Sequence, residues 1–155
     1  MIRSGEYGSF EEACRRFRWR VPGRYNLAEA VCGRHARDPA AAALSYEDGS
    51  GQTRSYTFAE LDRLGNRFAT VLAQFGVGRG DRVAIVMPQR PEVLVAHLGI
   101  SKRGAIAVPL SKLFAAPALE YRLHHSGTSV VVADTPNAAK VDEIAGRLPD
   151  LRHVL

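Results

Sequence analysis

With 155 residues and 46% apolar content, the chain can enclose a sizeable core in one folded unit. The net charge of +5 invites an acidic partner, but no run of about 18 apolar residues is present to cross a bilayer. The opening MIRSGEYGSFEEACRRFRWR has no apolar block of the kind a secretory signal needs, and Glu6, Glu11 and Glu12 do not fit a mitochondrial transit peptide, so a cytoplasmic protein is expected. Only Cys14 and Cys32 carry thiols; with no CxxC and no histidine at ligand spacing, they predict free, reduced cysteines and neither a disulfide framework nor a metal site.

Residues 1–24 read as a basic leader. Arg15, Arg16, Arg18, Arg20 and Arg24 crowd around Phe17, Trp19 and Tyr25, and arginines among aromatics can track phosphates and stack on bases. The other basic residues are scattered among acids and form no stripe, so nucleic-acid binding is the lesser reading and a solvated, loosely ordered leader the greater. From Tyr25 the pattern becomes regular. A helix is predicted over 27–36, with Asn26 as its N-cap and Pro39 beyond its end. Strands follow at 42–47 and 53–58, joined through DGSGQ as a hairpin.

The clearest helix begins at Phe58, because Phe58, Leu61, Leu64, Phe68, Leu72 and Phe75 recur at steps of three and four on one face. Thr57 and Glu60 form a capping box at its start, and Gly76 supplies a left-handed residue at its end. Thereafter short apolar strands alternate with helices: strand 82–87, helix 91–103, strand 106–110, helix 118–126, strand 130–134, helix near 139–148, then HVL. That alternation is the signature of βαβ units with right-handed crossovers, so the fold class is α/β with a parallel sheet flanked by helices and a leading hairpin. Pro91 with Gly104, and Pro117 with Gly127, mark two helix starts and stops.

Few residues point to chemistry. The stretch GVGRGD (76–81) resembles a phosphate loop, but such loops run from strand to helix and this one runs from helix to strand, so a helix cap and tight turn is expected. No GxxxxGK[ST], GxSxG or HExxH occurs. His124 and His125 are neighbours at a helix end and point to different faces, which suits a surface role near the negative end of the helix dipole. His97 sits among Val95, Leu98 and Ile100 and reads as a partly buried, hydrogen-bonded core histidine. Asp134 closes an apolar strand, where an α/β sheet presents its ligands, but one carboxylate before Pro136 reads equally as a helix cap.

The continuous stretch 57–134 resembles the first part of an AMP-forming acyl-CoA synthetase. The resemblance rests on the helix with Glu60, Leu61, Asn66 and Arg67, then GxxxGD followed by Val83, the turn from Pro88 to Pro91 and Glu92, KRGAIAVPL, and ALEYRL, in that order. LFAAPALEYRLHHSG is similar to the acetyl-CoA and medium-chain branch, although Ala115 and Ala116 stand where members often carry glycine and a polar residue.

Residues 25–155 are accordingly expected to be the N-terminal portion of an AMP-dependent synthetase/ligase domain. The resemblance implies a complete enzyme that uses ATP, Mg2+ and CoA to turn a carboxylic or fatty acid into its adenylate and then its thioester. The phosphate loop and catalytic lysine of that family lie in motifs absent here, so no catalytic, cofactor-binding or metal residue is assigned, and no cofactor is expected to bind tightly to this chain. Because LRHVL reads as an opening strand, a truncated chain with an unpaired sheet edge, weak stability or association, and the remainder of the ligase as partner is expected. The alternatives are a non-catalytic binding or assembly module and a basic nucleic-acid-binding protein.

Overall fold

The computed structural model describes residues 7–19 and 22–155. Four parallel strands, β3 (Arg82–Val86), β4 (Ile106–Pro109), β5 (Val130–Ala133) and β6 (His153–Val154), form a sheet in the order β4-β3-β5-β6. Buried on both faces, the central strands are apolar runs, unbroken once Arg82 has opened β3, as a covered parallel sheet requires. Alternation along them sorts the core: Val83, Ile85, Val130 and Val132 face one side and Ala84, Val86 and Val131 the other. At the β4 edge, the amides of Ile106 and Leu110 donate inward to the carbonyls of Asp81 and Ile85 (2.7 and 2.9 Å), while Pro109 occupies the intervening alternation.

The first face is covered by α2 (Phe58–Gln74) and α3 (Pro91–Lys102). The capping box forms as expected, with Thr57 Oγ1 accepting from the Glu60 amide and the Glu60 carboxylate from the Thr57 amide. The two helices approach backbone to backbone. A Cβ built on Gly99 would lie 2.7 Å from Phe68 and 3.2 Å from the Gly65 carbonyl, so only glycine fits there. Lys102 donates to Asp62 across the same contact (2.8 Å).

The opposite face carries α4 (Ala116–Ser126) and α5 (Thr135–Asp142), whose Leu119, Leu123 and Val141 pack on Ala84, Val86 and Val131 together with Ile144 and Leu148. The hairpin of β1 (Ala42–Glu47) and β2 (Thr53–Thr57) lies apart from the parallel sheet and packs through Leu44 and Tyr56 against Leu61 and Leu98. Asp48 organises its turn by accepting from the Ser50 and Gln52 amides and the Ser50 hydroxyl.

Three local readings are corrected. The expected last helix lies earlier, at Thr135–Asp142, with a 3₁₀ turn at Ala145–Arg147, because Pro136 opens the helix directly after Asp134. The helix after Asn26 widens into a π turn at Glu29–Gly33, in which the Arg34 amide reaches the Glu29 carbonyl (3.0 Å); Asn26 does cap it, accepting from the Glu29 amide. In the leader, where no helix was expected, Phe10–Arg16 forms the helix α1, capped by Ser9 and, as a solvated segment would be, without a buried residue; Arg20 and Val21 lie outside the described residues.

Candidate functional site

The connection leaving β3 runs through α3 on one face of the sheet, and the one leaving β5 runs through α5 on the other. The carboxyl ends of these adjacent strands therefore bound the crevice where α/β sheets hold ligands. Asp134 sits there, half-buried, at the N-cap of α5. The capping position is as expected, but its side chain bonds no backbone amide of the first turn. Instead Asp134 Oδ1 accepts from Asn137 Nδ2, Asn137 Oδ1 accepts from Lys140 Nζ (3.0 Å), and Lys140 Nζ also donates to the Lys112 carbonyl (2.9 Å). This chain ties the rim after β5 to the loop after β4, and at 3% exposure Asn137 is satisfied by it.

Beside the β3 and β4 ends, an apolar cleft of about 400 Å³ opens between the hairpin and the start of α3, lined by Leu44, Tyr46, Gln89, Leu94, His97 and Pro109. A more polar cleft of about 310 Å³ adjoins it, sharing Tyr46, Arg90 and Pro91. Arg90 donates twice to Glu92 (2.7 and 3.0 Å), and this hydrogen-bonded guanidinium holds the Glu92 carboxyl below the usual range. Both side chains are roughly half exposed, so the pair contributes little stability.

His97 departs from expectation. It is half-buried, but among the described residues its ring has no hydrogen-bond partner, because its position on α3 falls between Ala96 and Ile100, which face the sheet, and Val95 and Leu98, which face the hairpin. It lines the apolar cleft instead. His124 and His125 are exposed at the end of α4, as expected, with His125 stacked on Tyr121 at 5.7 Å. GVGRGD is a cap and turn: Gly76 and Gly80 have positive φ, and Asp81 accepts from the Gly78 amide (2.7 Å), consuming a donor that a phosphate would need. Cys14 is exposed and Cys32 buried, and burial pushes the Cys32 thiol up.

None of Asp134, His97, His124 and His125 bonds another of the four among the described residues, and no group of three or more His, Cys, Asp or Glu there could hold a metal ion. What the residues build is a sheet rim with a polar tie and two clefts, not an acid–base or nucleophilic constellation. Sequence reasoning found Asp134 but missed Asn137 and Lys140. The steps of three from Asp134 to Asn137 and from Asn137 to Lys140 were the available signal, hidden by placing the helix too late.

The family model described as AMP-binding enzyme matches residues 30–155. The chain belongs to the AMP-binding enzyme family. An acetyl-coenzyme A synthetase of Bacillus subtilis is 39% identical over 94% of this chain and 27% of its own length. The long-chain-fatty-acid–CoA ligase FadD13 of Mycobacterium tuberculosis is 41% identical over 57% of this chain and 18% of its own. Among solved structures, an acyl-CoA synthetase of Brucella canis superposes with a TM-score of 0.77 at 29% identity, covering 84% of this chain and 23% of that one. The N-terminal domain of FACL13 from Mycobacterium tuberculosis superposes at 0.74 and 30% identity, covering 85% and 34%. The chain thus spans about a fifth to a quarter of the length of these two curated relatives. AMP-binding enzymes of this kind share its parallel sheet and flanking helices. Among the described residues no helix is long and apolar enough to cross a membrane.

Proposed function

We propose that residues 25–155 form the scaffold of the first part of a cytoplasmic, ATP-dependent acid–thiol ligase domain, and that the chain alone does not activate an acid. The observation that carries this reading is a contrast: residues 30–155 match the AMP-binding enzyme family, yet GVGRGD, the stretch that resembles a phosphate loop, is a helix-to-strand turn whose Gly78 amide is bound by Asp81. In the complete enzyme a carboxylate oxygen would attack the α-phosphorus of ATP and release pyrophosphate; the CoA thiol would then attack the acyl carbon and release AMP. The donor set does not fit Mg2+, since no group of three or more His, Cys, Asp or Glu among the described residues could hold a metal ion. No step of that reaction is therefore assigned to these residues. Their part is to hold the sheet rim at Asp134, Asn137 and Lys140 and the clefts beside Tyr46 and Arg90 in fixed geometry.

The test is ATP–pyrophosphate exchange with acetate and with a medium-chain fatty acid, run on the chain alone and after mixing with a polypeptide that carries the rest of a related ligase. No exchange above the blank is expected from the chain alone, and exchange from the mixture. Exchange by the chain alone would sink the reading.

A further inference from the structure

The two clefts beside the hairpin meet at Tyr46, Arg90 and Pro91, and their walls come from two regular elements. On the hairpin, strand alternation and a register that sets Leu44 opposite Tyr56 and Tyr46 opposite Arg54 put these four side chains on one face. Leu44 and Tyr56 pack on Leu61 and Leu98, so that face grades from apolar at one end to basic at the other. Facing it, α3 starts directly after Arg90 and turns Leu94 and His97 into the apolar cleft. From Pro91 to His97 the helix rises about 9 Å. The walls thus lead from a guanidinium, along Leu94, to the half-buried imidazole of His97.

The polar cleft holds Arg54 and Arg90 together with Asp48 and Glu92. Its carboxylates are already engaged: Asp48 Oδ1 accepts three bonds inside the hairpin turn, and both oxygens of Glu92 accept from Arg90 Nε and Nη2. Its guanidinium groups are not used up. Arg90 keeps its Nη1 donors, and Arg54, lying over the Tyr56 ring at 4.8 Å, makes no hydrogen bond or ion pair among the described residues. We propose that the two clefts form one binding site for an amphipathic carboxylate, its head on Arg54 and Arg90 and its apolar body along Leu94 toward His97. A planar guanidinium fork matches a carboxylate, and a chiefly apolar cleft of about 400 Å³ with polar groups at one end suits a small ligand of that kind. A cationic ligand would meet Glu92 already paired and Asp48 held in its turn, and a neutral one would leave the guanidinium donors unspent. The inference rests on the clefts alone, and neither ATP nor the ligase reading enters it.

The full chain is titrated with octanoate, phenylpropanoate, acetate, octanol and octylammonium, with affinity read by calorimetry and the site by NMR shifts. Saturable binding of octanoate or phenylpropanoate is expected, with shifts at Leu44, Leu94 and His97, and the tighter of the two tells whether a straight or an aromatic body is preferred. Acetate lacks the apolar body, and octanol and octylammonium lack the negative head; each is expected to bind at least about tenfold more weakly. Arg54→Gln and Leu94→Gln each weaken binding of the acid by roughly fivefold. Both positions are exposed, and unchanged circular dichroism verifies that the fold survives. Arg147→Gln removes the same charge on the opposite face of the sheet, beside α4, and leaves binding unchanged. No saturable binding of either acid, equal binding of octylammonium, shifts gathered on the leader instead of the clefts, or equal losses from Arg147→Gln and Arg54→Gln would each overturn the proposal.

Discussion

The two faces of the sheet are covered by different means. On one, α2 and α3 run long enough to touch each other, and their contact is set by glycine: the Gly65 carbonyl and the Gly99 position come within a distance that excludes a side chain. On the other, α4 and α5 are shorter, begin at prolines without side-chain caps to the backbone, and pack mainly on the sheet through Leu119, Leu123 and Val141. Apolar burial is thus common to both faces, whereas the close helix approach distinguishes the first; of these four helices α2 alone has a side-chain cap, since α3, like α4 and α5, opens on a proline without one. Truncation of a core side chain should therefore hurt either face, and addition of a methyl group should hurt only one.

The largest effect tests the shared part. Leu119→Ala and Leu72→Ala remove fully buried side chains from opposite faces, and each is expected to cost about 3 kcal/mol in urea unfolding. A much smaller loss for either would break the symmetry of burial. Gly99→Ala tests the difference. Replacing a mid-helix glycine by alanine ordinarily stabilises by roughly 0.5–1 kcal/mol, but a Cβ 3.1 Å from the Ala69 amide nitrogen meets backbone, and a net loss of about 2 kcal/mol is expected. A gain in the urea midpoint would show that the helices can separate. Thr57→Ala removes the cap of α2 and should cost about 1 kcal/mol; the same scan should find Asp134→Ala acting through Asn137 and Lys140 rather than through a lost backbone cap.

The smallest effect concerns the hairpin. Bonds from the Ser50 hydroxyl and from the Ser50 and Gln52 amides hold the Asp48 carboxyl below its ordinary range. A carboxyl lowered on folding stabilises the fold above its unfolded value, and that contribution fades as pH falls through the folded one. The urea midpoints of Asp48→Ala and the parent chain should therefore differ more at neutral pH than at about pH 3. A difference that grows on acidification would invert the assignment.

Much of the fold was legible because periodicity and punctuation agree over α2 and the β3–α4 region. Thr57, Glu60 and Gly76 bracket α2, and the apolar runs at 82–86 and 130–133 admit few other roles. Legibility failed where tertiary demands outweighed local signals. Ala28 and Cys32 are both buried against the hairpin and α2, and the helix that carries them widens into a π turn that no propensity announces. At the site, the strand-end position of Asp134 could be read from sequence. The half-open setting of His97 could not, because it depends on which side of α3 the hairpin covers. Family membership came from ordered motifs rather than from any catalytic group, since the motifs here are structural.

The proline in β4 gives the sheet a direction of growth. Its neighbours at Ile106 and Leu110 spend their amides on β3, so Pro109 falls where an incoming strand would look for a donor and finds none. An additional strand is disfavoured beside β4 and must join at the far margin, next to His153 and Val154. Whatever polypeptide enlarges this sheet is thereby steered toward the flank that lies past β5.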